Sequence, residues 1–318
     1  MKKIWLIAGM MLILFSSYLN AGVRSASRPV RLTGGDAGYQ FMRPIWSPDG
    51  TKIAFTGPRY NGIWVVDADG TGERQITADL ASGYGFQWSS DSRSILARAS
   101  KYERYRRLNA IKLYDVETAT ERLVSEYRAS SLSLPVWGDG GAQIMTIHKN
   151  RLEVYDSGTT KDVLKKSSAD RRMCLLKEDR IAEGDPVTNE YLVVTSLKDR
   201  RCINLVYSPD GSKIAFEEVG GNLFVMNLDD RQLTDLGRGH RPQWSPDSQH
   251  LTYMITEDDG YRYTSSDIYF IRIDGTEKNR LEFREDKLEM NPSWSPDGKK
   301  IAYDVYDEGA VYIVEIDQ

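Results

Sequence analysis

The sequence predicts an all-β protein, a β-propeller of seven four-stranded blades, from three observations. A phrase made of an aromatic residue and a Ser-Pro-Asp-Gly-like turn recurs six times, and an aliphatic residue follows each aromatic residue by seven positions. Each unit of roughly 40 residues also contains short runs of β-branched and aromatic residues bounded by Gly, Pro and Asp, which is typical of a propeller blade. The six pairs are Trp46–Ile53, Trp88–Ile95, Trp137–Ile144, Tyr207–Ile214, Trp244–Leu251 and Trp294–Ile301.

The first unit shows the order of the strands within a blade. One strand ends at Trp46, and residues 53–56, 63–67 and 74–77 form the next three. Ser-Pro-Asp-Gly predicts a tight turn between the first two strands, because Pro pre-sets the second position, Asp bonds locally and Gly relieves the exit. We therefore interpret Asp49, Asp210, Asp247 and Asp297 as turn residues with a structural role, and the repeated aromatic residue as a core residue of each unit.

The number of blades depends on the stretch between Trp137 and Tyr207, which are 70 residues apart, whereas the other neighbouring pairs are 37 to 50 apart. A hidden unit is predicted there, since residues 181–194 match residues 53–66 at a constant offset of 128. In this unit Cys174 takes the aromatic position and the outer strand is short or absent. The alternative is six blades with an inserted hairpin.

Closure of the ring is predicted at the N-terminus. The last unit ends without a fourth strand, while residues 30–33 resemble residues 74–77 but have no unit of their own. A ring of blades leaves two free strand edges unless its first and last members are joined. We expect the N-terminal strand to complete the last blade.

The N-terminus also indicates the compartment. Lys2 and Lys3 precede an apolar run, so residues 1–21 are predicted to be a secretory signal peptide, with a retained membrane anchor as the alternative. Residues 22–27 follow as a short linker, residues 28–318 form the propeller, and the expected location is periplasmic or secreted. The two cysteines, Cys174 and Cys202, do not make a disulfide framework, and their placement on different strands argues against a bridge.

The charge balance bears on the partner. Removing the signal leaves 40 basic and 46 acidic residues of the 42 and 46 in the whole chain, a net charge of −6. An acidic protein is not expected to take nucleic acid as its main partner.

The repeat resembles a known family. Trp-Ser-Pro-Asp-Gly, Ile-Ala-Phe, Ile-Trp-Val-Val-Asp-Ala-Asp-Gly and Arg-Gln-Ile-Thr, all between residues 46 and 77, are similar to the WD-repeat-like propeller repeat of TolB-type periplasmic proteins, over roughly residues 28–318. The resemblance implies a role at the cell envelope, although the family carries an α/β domain before its propeller and this chain passes from the signal to the first blade. The same repeat occurs in binding proteins, in lyases and in gating domains of peptidases.

Candidate binding residues come from two insertions between second and third strands, residues 100–107 and 257–263, which are expected on one face of the ring. One is basic and the other acidic, and both are rich in Tyr, which with Arg is favoured at protein interfaces. Three further residues precede first strands and are expected around the channel mouth on that face. The predicted partner-binding residues are Arg43, Tyr102, Arg104, Tyr105, Arg106, Arg107, His240, Arg241, Tyr261 and Tyr263; the alternative is solvated hairpin tips and ordinary loop polarity.

The favoured function is a non-enzymatic, monomeric propeller that binds a protein or cell-envelope partner without a cofactor and without stable membrane insertion after signal cleavage. The alternatives are a channel-site enzyme acting on a polysaccharide, with His148, His240 and Arg241 as candidates, and a gating propeller of a peptidase system. No pair of histidines has metal-ligand spacing, and no phosphate loop or nucleophile elbow is present, so neither a metal site nor a catalytic residue is predicted.

Overall fold

The molecule is a ring of seven antiparallel sheets, seen in a computed structural model that describes residues 24–25, 27–33, 40–158, 173–194, 199–281, 283–284 and 286–317. Each sheet is a meander in which strands adjacent in sequence are paired. This confirms the predicted all-β propeller and its seven blades. The predicted signal peptide lies outside the described residues.

The strands are numbered β1 to β27 along the chain and are grouped here by blade. The first three blades follow two short N-terminal strands, β1 (Arg24–Ser25) and β2 (Val30–Arg31): blade 1 has β3 (Met42–Trp46), β4 (Lys52–Thr56), β5 (Ile63–Asp67) and β6 (Arg74–Thr77); blade 2 has β7 (Gln87–Trp88), β8 (Ser94–Glu103), β9 (Arg106–Asp115) and β10 (Glu121–Leu123); blade 3 has β11 (Val136–Gly138), β12 (Gln143–His148) and β13 (Arg151–Asp156). Short 3-10 turns occupy Pro58–Tyr60 and Asp139–Gly141.

The remaining four blades repeat the same order: blade 4 has β14 (Met173–Lys177), β15 (Arg180–Asp185) and β16 (Glu190–Val193); blade 5 has β17 (Cys202–Tyr207), β18 (Lys213–Glu218), β19 (Asn222–Asn227) and β20 (Leu233–Arg238); blade 6 has β21 (His240–Trp244), β22 (His250–Asp258), β23 (Tyr263–Arg272) and β24 (Asn279–Leu281); blade 7 has β25 (Glu289–Trp294), β26 (Lys300–Val305) and β27 (Ala310–Asp317). Blades 3 and 4 show three strands within the described residues, and the fourth strand predicted at residues 163–164 falls outside them.

Blade 4 corrects one detail of the prediction. In the other six blades the aromatic residue pairs with the aliphatic residue seven positions later, but Ile181 pairs with Leu176, not with Cys174. The reason is the turn, which is a two-residue loop with Glu178 and Asp179 both at positive φ, so the register moves by two residues. Cys174 and Cys202 are both buried as free thiols in the apolar cluster between blades 4 and 5.

The core lies between blades. One apolar cluster fills each of the seven junctions, including that between blades 7 and 1, where Trp46 and Phe55 pack with Val311 and Ile313. The repeated tryptophans therefore pack between neighbouring blades rather than within a single blade. The Nε1 of Trp88 donates to the carbonyl of Ile45 in the preceding blade at 3.1 Å.

The Ser-Pro-Asp-Gly turns have the structural role assigned to them. In blade 7 the Ser295 hydroxyl donates to Asp297 Oδ1 at 2.6 Å and accepts from the Lys300 amide at 2.9 Å. The hydrogen bonds from Ser295 and from the Lys299 amide lower the pKa of Asp297, which keeps the carboxylate charged in the turn. Equivalent Ser–Asp bonds recur at residues 47 and 49, 89 and 91, 208 and 210, and 245 and 247.

The N-terminal strand closes the ring as predicted. Val30 and Arg31 pair with Ile313 and Tyr312 of β27. The amide of Leu32 donates to the Val311 carbonyl at 2.9 Å, and the Leu32 side chain is buried in the cluster between blades 7 and 1. Within the predicted linker, residues 24 and 25 also pair with β27, so the strand addition begins earlier than expected. No helix among the described residues is long and apolar enough to cross a membrane.

The closure contact predicts unequal effects from truncating two nearby side chains. Leu32→Ala should lower the free energy of unfolding by about 2–4 kcal/mol, because it removes a buried side chain from the closing cluster. Val30→Ala, two residues earlier and with a side chain that is 57% exposed, should cost less than about 0.5 kcal/mol. Urea denaturation of both variants checks this, and equal midpoints would contradict the closure.

Candidate functional site at the mouth of the central channel

A bulge interrupts the first strand of four blades, three residues before the aromatic position. Strand pairing shifts register there in blades 1, 5, 6 and 7. The bulge residues Arg43, Asn204, Arg241 and Asn291 have φ between 51° and 58°. A β-bulge re-aims a side chain, and non-glycine residues held in the left-handed region concentrate at functional sites.

Side chains from the preceding blade hold three of these bulges. The amide of Arg43 donates to Asp304 Oδ1 at 2.9 Å, and the amide of Arg241 donates to Glu217 Oε2 at 3.2 Å. The Asn291 amide lies 3.5 Å from the sulfur of Met254. The three acceptors all stand three positions after the aliphatic residue of a second strand, so equivalent contacts join blade 5 to 6, blade 6 to 7 and blade 7 to 1.

Arg241 reaches across several blades. Its Nη1 donates to Asn204 Oδ1 of blade 5 at 3.0 Å, and its Nη2 donates to the hydroxyl of Tyr60 of blade 1 at 2.9 Å. Blades 5 and 1 are not neighbours in the ring. A side chain of blade 6 can contact both only at the axis, so Arg241 lies at the mouth of the central channel.

Arg43 lies in the same place. Its guanidinium stands 5.8 Å from the centre of the Tyr60 ring, and its charge interacts with Arg241, Tyr84 and Asp304. Tyr60 and Tyr84 pack edge to face, with ring centres 5.2 Å apart. The mouth cluster, defined as Arg43, Tyr60, Tyr84, Asn204, Glu217, His240, Arg241, Asn291 and Asp304, therefore combines groups from blades 1, 5, 6 and 7 and from the connection into blade 2.

The two carboxyl groups of the mouth cluster have different environments. Burial disfavours ionisation of Glu217, but hydrogen bonds from His240 Nδ1 at 2.8 Å and from Asn204 at 2.7 Å hold its pKa below the ordinary value. Burial raises the pKa of Asp304 to about 7, although the Arg43 amide and the Asn291 side chain donate to it. The mouth cluster thus contains two guanidinium groups but only one carboxyl group, Glu217, whose pKa lies below the ordinary value.

The two predicted insertions are extended hairpins. β8 and β9 form one, with the tip at Arg104 and Tyr105, and β22 and β23 form the other, with the tip at residues 259–262. In each blade the end of the second strand lies beside the start of the first, so these hairpins rise at the end of the ring that carries Arg43 and Arg241. We call this end the mouth face.

The hairpin tips are free of the ring. Tyr105 and Tyr261 are fully exposed, and Tyr102 is 65% exposed. The guanidinium of Arg107 donates to the Ser100 hydroxyl across its own hairpin, and Tyr263 packs edge to face on Tyr306 at 5.7 Å. Arg104 and Arg106 are also exposed.

The three histidines are not brought together. His240 is paired with Glu217 in the mouth cluster. His148, at the end of the second strand of blade 3, is held by Arg128, Ser130 and Glu153, and none of these contacts His240. His250 bonds to Asp247 at the start of its second strand, at the opposite end of the ring.

Sequence reasoning found the cationic residues of the mouth cluster but missed their surroundings. The missed residues are Tyr60, Tyr84, Asn204, Glu217, Asn291 and Asp304. A signal was present for four of them: polar residues recur three positions before the aromatic residue and three after the aliphatic one. The two tyrosines lie in loops and carry no periodic signal.

Comparisons with known proteins agree with this architecture. No family model matches the chain. A TolB homolog of Chlorobium luteolum (strain DSM 273 / BCRC 81028 / 2530) is 30% identical over 118 residues, which are 35% of this chain and 26% of that protein. The match thus spans about a quarter of the relative's length.

Two solved structures share the fold. A protein assigned as TolB from Agrobacterium tumefaciens has a TM-score of 0.55 and 17% identity, with coverage of 88% of this chain and 91% of that one. An oligogalacturonate lyase in complex with manganese has a TM-score of 0.54 and 13% identity, with coverage of 93% and 95%. Identities this low show the fold alone.

The sheets, the repeat and the closed channel define a β-propeller. The chain is therefore a β-propeller whose sequence is similar to a TolB homolog over about a third of its length. The manganese of the lyase has no evident counterpart, because the described residues contain no group of three His, Cys, Asp or Glu side chains that could hold a metal ion. At the channel mouth a cation would also meet the positive charges of Arg43 and Arg241, so the mouth cluster does not fit a metal ion.

A buried carboxyl of blade 7 predicts how stability depends on pH. Glu289 is 2% exposed and its Oε1 has no partner among the described residues; burial, with Asp267 adding to it, raises its pKa from 4.5 to about 8. Between these values the unfolded chain loses the proton that the folded chain keeps. The wild-type free energy of unfolding should therefore fall, relative to that of Glu289→Gln, by up to about 1.4 kcal/mol per pH unit as pH rises from 4.5 to 8.

Thermal unfolding across this range measures the effect. Glu315→Gln, which changes an exposed carboxyl on β27, is the matched control and should follow the wild type at each pH. Parallel curves for wild type and Glu289→Gln would contradict the buried, protonated carboxyl.

Proposed function

We propose that this chain is an exported, non-enzymatic propeller that binds a protein or cell-envelope partner through its mouth face. The observation that carries the proposal is the pair of extended hairpins, which place fully exposed tyrosines above a cationic channel mouth. Tyr and Arg give large contact area and hydrogen bonds, and they dominate binding energy at interfaces. Exposed aromatic tips carry no benefit for folding, so a binding role accounts for them.

The charges of the two hairpins extend this proposal. The blade 2 hairpin carries Arg104 and Arg106 near its tip, whereas the blade 6 hairpin carries Glu257, Asp258 and Asp259 near its tip. A partner with the opposite pattern would be oriented on the face, because complementary charge sets the register and the rate of association. Export and a place in the cell envelope are proposed from the N-terminal sequence and supported by the likeness to TolB proteins.

An enzyme in the channel is the competing proposal, and the lyase with the same fold is the observation that favours it. His240 and Arg241 lie together at the mouth, but His148 does not join them. An assay of the purified protein on oligogalacturonate, with metal analysis of the same sample, separates the two. Turnover that is lost in His240→Gln would replace the binding proposal.

The binding proposal predicts the effect of reversing two tip charges. Arg104→Glu with Arg106→Glu should reduce capture of envelope partners at least about tenfold, because hot-spot arginines carry a large share of binding energy. Arg107 is left unchanged, since it bonds within its hairpin. The melting temperature should not fall, because both side chains are exposed.

A pull-down from envelope extract with quantified bound protein measures the change. Arg93→Glu with Lys299→Glu makes the same charge change in first turns, at the opposite end of the ring. Equal capture by the tip variant and this control would contradict binding through the mouth face.

A further inference from the structure

We infer that Arg43 and Arg241 form a binding site for an oxyanion, a carboxylate or phosphate group, on the axis of the ring at the channel mouth. This inference rests on the proposed function, since it names the chemistry of the group that a ligand or partner inserts there. The site is assembled from groups of non-adjacent blades, so only the closed ring forms it.

The charge of Asp304 acts on both guanidinium groups, but neither group has a carboxylate in direct contact among the described residues. Neither Arg43 nor Arg241 forms an ion pair within the described part of the chain, although many other arginines do. Arg241 donates to two neutral oxygens, those of Asn204 and Tyr60. Arg43 donates no hydrogen bond from its guanidinium to any described residue and instead faces the Tyr60 ring.

The nearby carboxyl groups already accept hydrogen bonds from groups other than the two guanidinium groups. Asp304 accepts from the backbone amide of Arg43 and from Asn291, and Glu217 accepts from His240, Asn204 and the backbone amide of Arg241. These carboxyl groups therefore serve the bulges rather than the guanidinium groups. Because no carboxylate contacts either guanidinium group directly, part of the positive charge of the mouth remains for a ligand.

The two arginines also repel each other. Burial and the charge of Arg241 lower the pKa of Arg43, which indicates that the two guanidinium groups are close enough to interact. An oxyanion between them would relieve this repulsion and accept paired hydrogen bonds from each planar fork. The Tyr60 and Tyr84 side chains, which interact with the charge of Arg43, supply further polar groups to the same site.

Backbone strain points to the same residues. Arg43 and Arg241 hold φ of 56° and 58°, where a side chain is disfavoured, while the corresponding position of blade 2 is Gly85 at 73°. Glycine would fit these two bulges without strain. The strained arginines are explained if their side chains are needed on the axis.

Isothermal titration of the purified protein with inorganic phosphate and with the peptide Asp-Asp-Asp tests the inference. The wild type should bind at least one probe, more weakly as salt rises. Arg43→Gln and Arg241→Gln should each weaken binding about tenfold or more, and Arg93→Gln at the opposite end of the ring should not change it. Arg43→Lys and Arg241→Lys keep the charge and should retain part of the affinity, which covers the case of a Gln variant that folds poorly.

The outcomes separate this inference from the proposed function. Binding of the peptide alone identifies a carboxylate from a chain, and binding of both probes identifies a site for free oxyanions as well; either supports the inference if it depends on the two arginines. Absence of binding to the wild type, or wild-type affinity in both Gln variants, overturns it. Partner capture that still depends on Arg104 and Arg106 would then leave the proposed function standing.

Discussion

The pairing of β2 with β27 is the contact on which the rest of the molecule depends. Each sheet buries both of its faces against the neighbouring sheets. If the ring stayed open, the first and last blades would each leave one apolar face uncovered and one strand edge unpaired. The Val311 amide donates to the hydroxyl of Thr33, 278 residues away in sequence, at 2.9 Å. The apolar cluster around Trp46 then makes the junction of blades 7 and 1 equivalent to the other six.

Closure also explains why a polar site can exist at the axis. First strands of seven blades converge there, and each would present an unpaired edge to the channel. The bulges turn Arg43 and Arg241 into this space, and carboxyl groups of the preceding blades satisfy the freed amides. Strain at φ near +57° persists because the packed junctions on both sides fix the backbone.

The mouth face combines two kinds of surface. The hairpin tips are exposed and rich in aromatic area, which suits recognition of a partner surface. The mouth cluster is partly buried and its side chains are held by hydrogen bonds, and partial burial strengthens the interaction of its charges with an anion. Charge on the tips can guide a partner, and the cluster can then hold one group of it.

Periodic signals in the sequence determined the class of fold, the seven units, the closing strand and the face that carries both insertions. These features follow from local chemistry, because turn residues, alternating apolar residues and the 40-residue period can be recognised directly along the sequence. The predicted pairing of Cys174 with Ile181 in blade 4 was wrong. The two-residue turn at Glu178 and Asp179, both at positive φ, gives no distinctive signal in a single sequence.

Tertiary structure alone decided the site. Tyr60, Glu217 and Asp304 come from blades far apart in the chain, and no spacing shows that they meet Arg43 and Arg241 on one axis. Nor could the sequence show that His240 belongs to the mouth cluster and His148 does not, since both lie at strand ends on the same side of their blades. Distance from the axis depends on the ring as a whole, and only the closed ring fixes it.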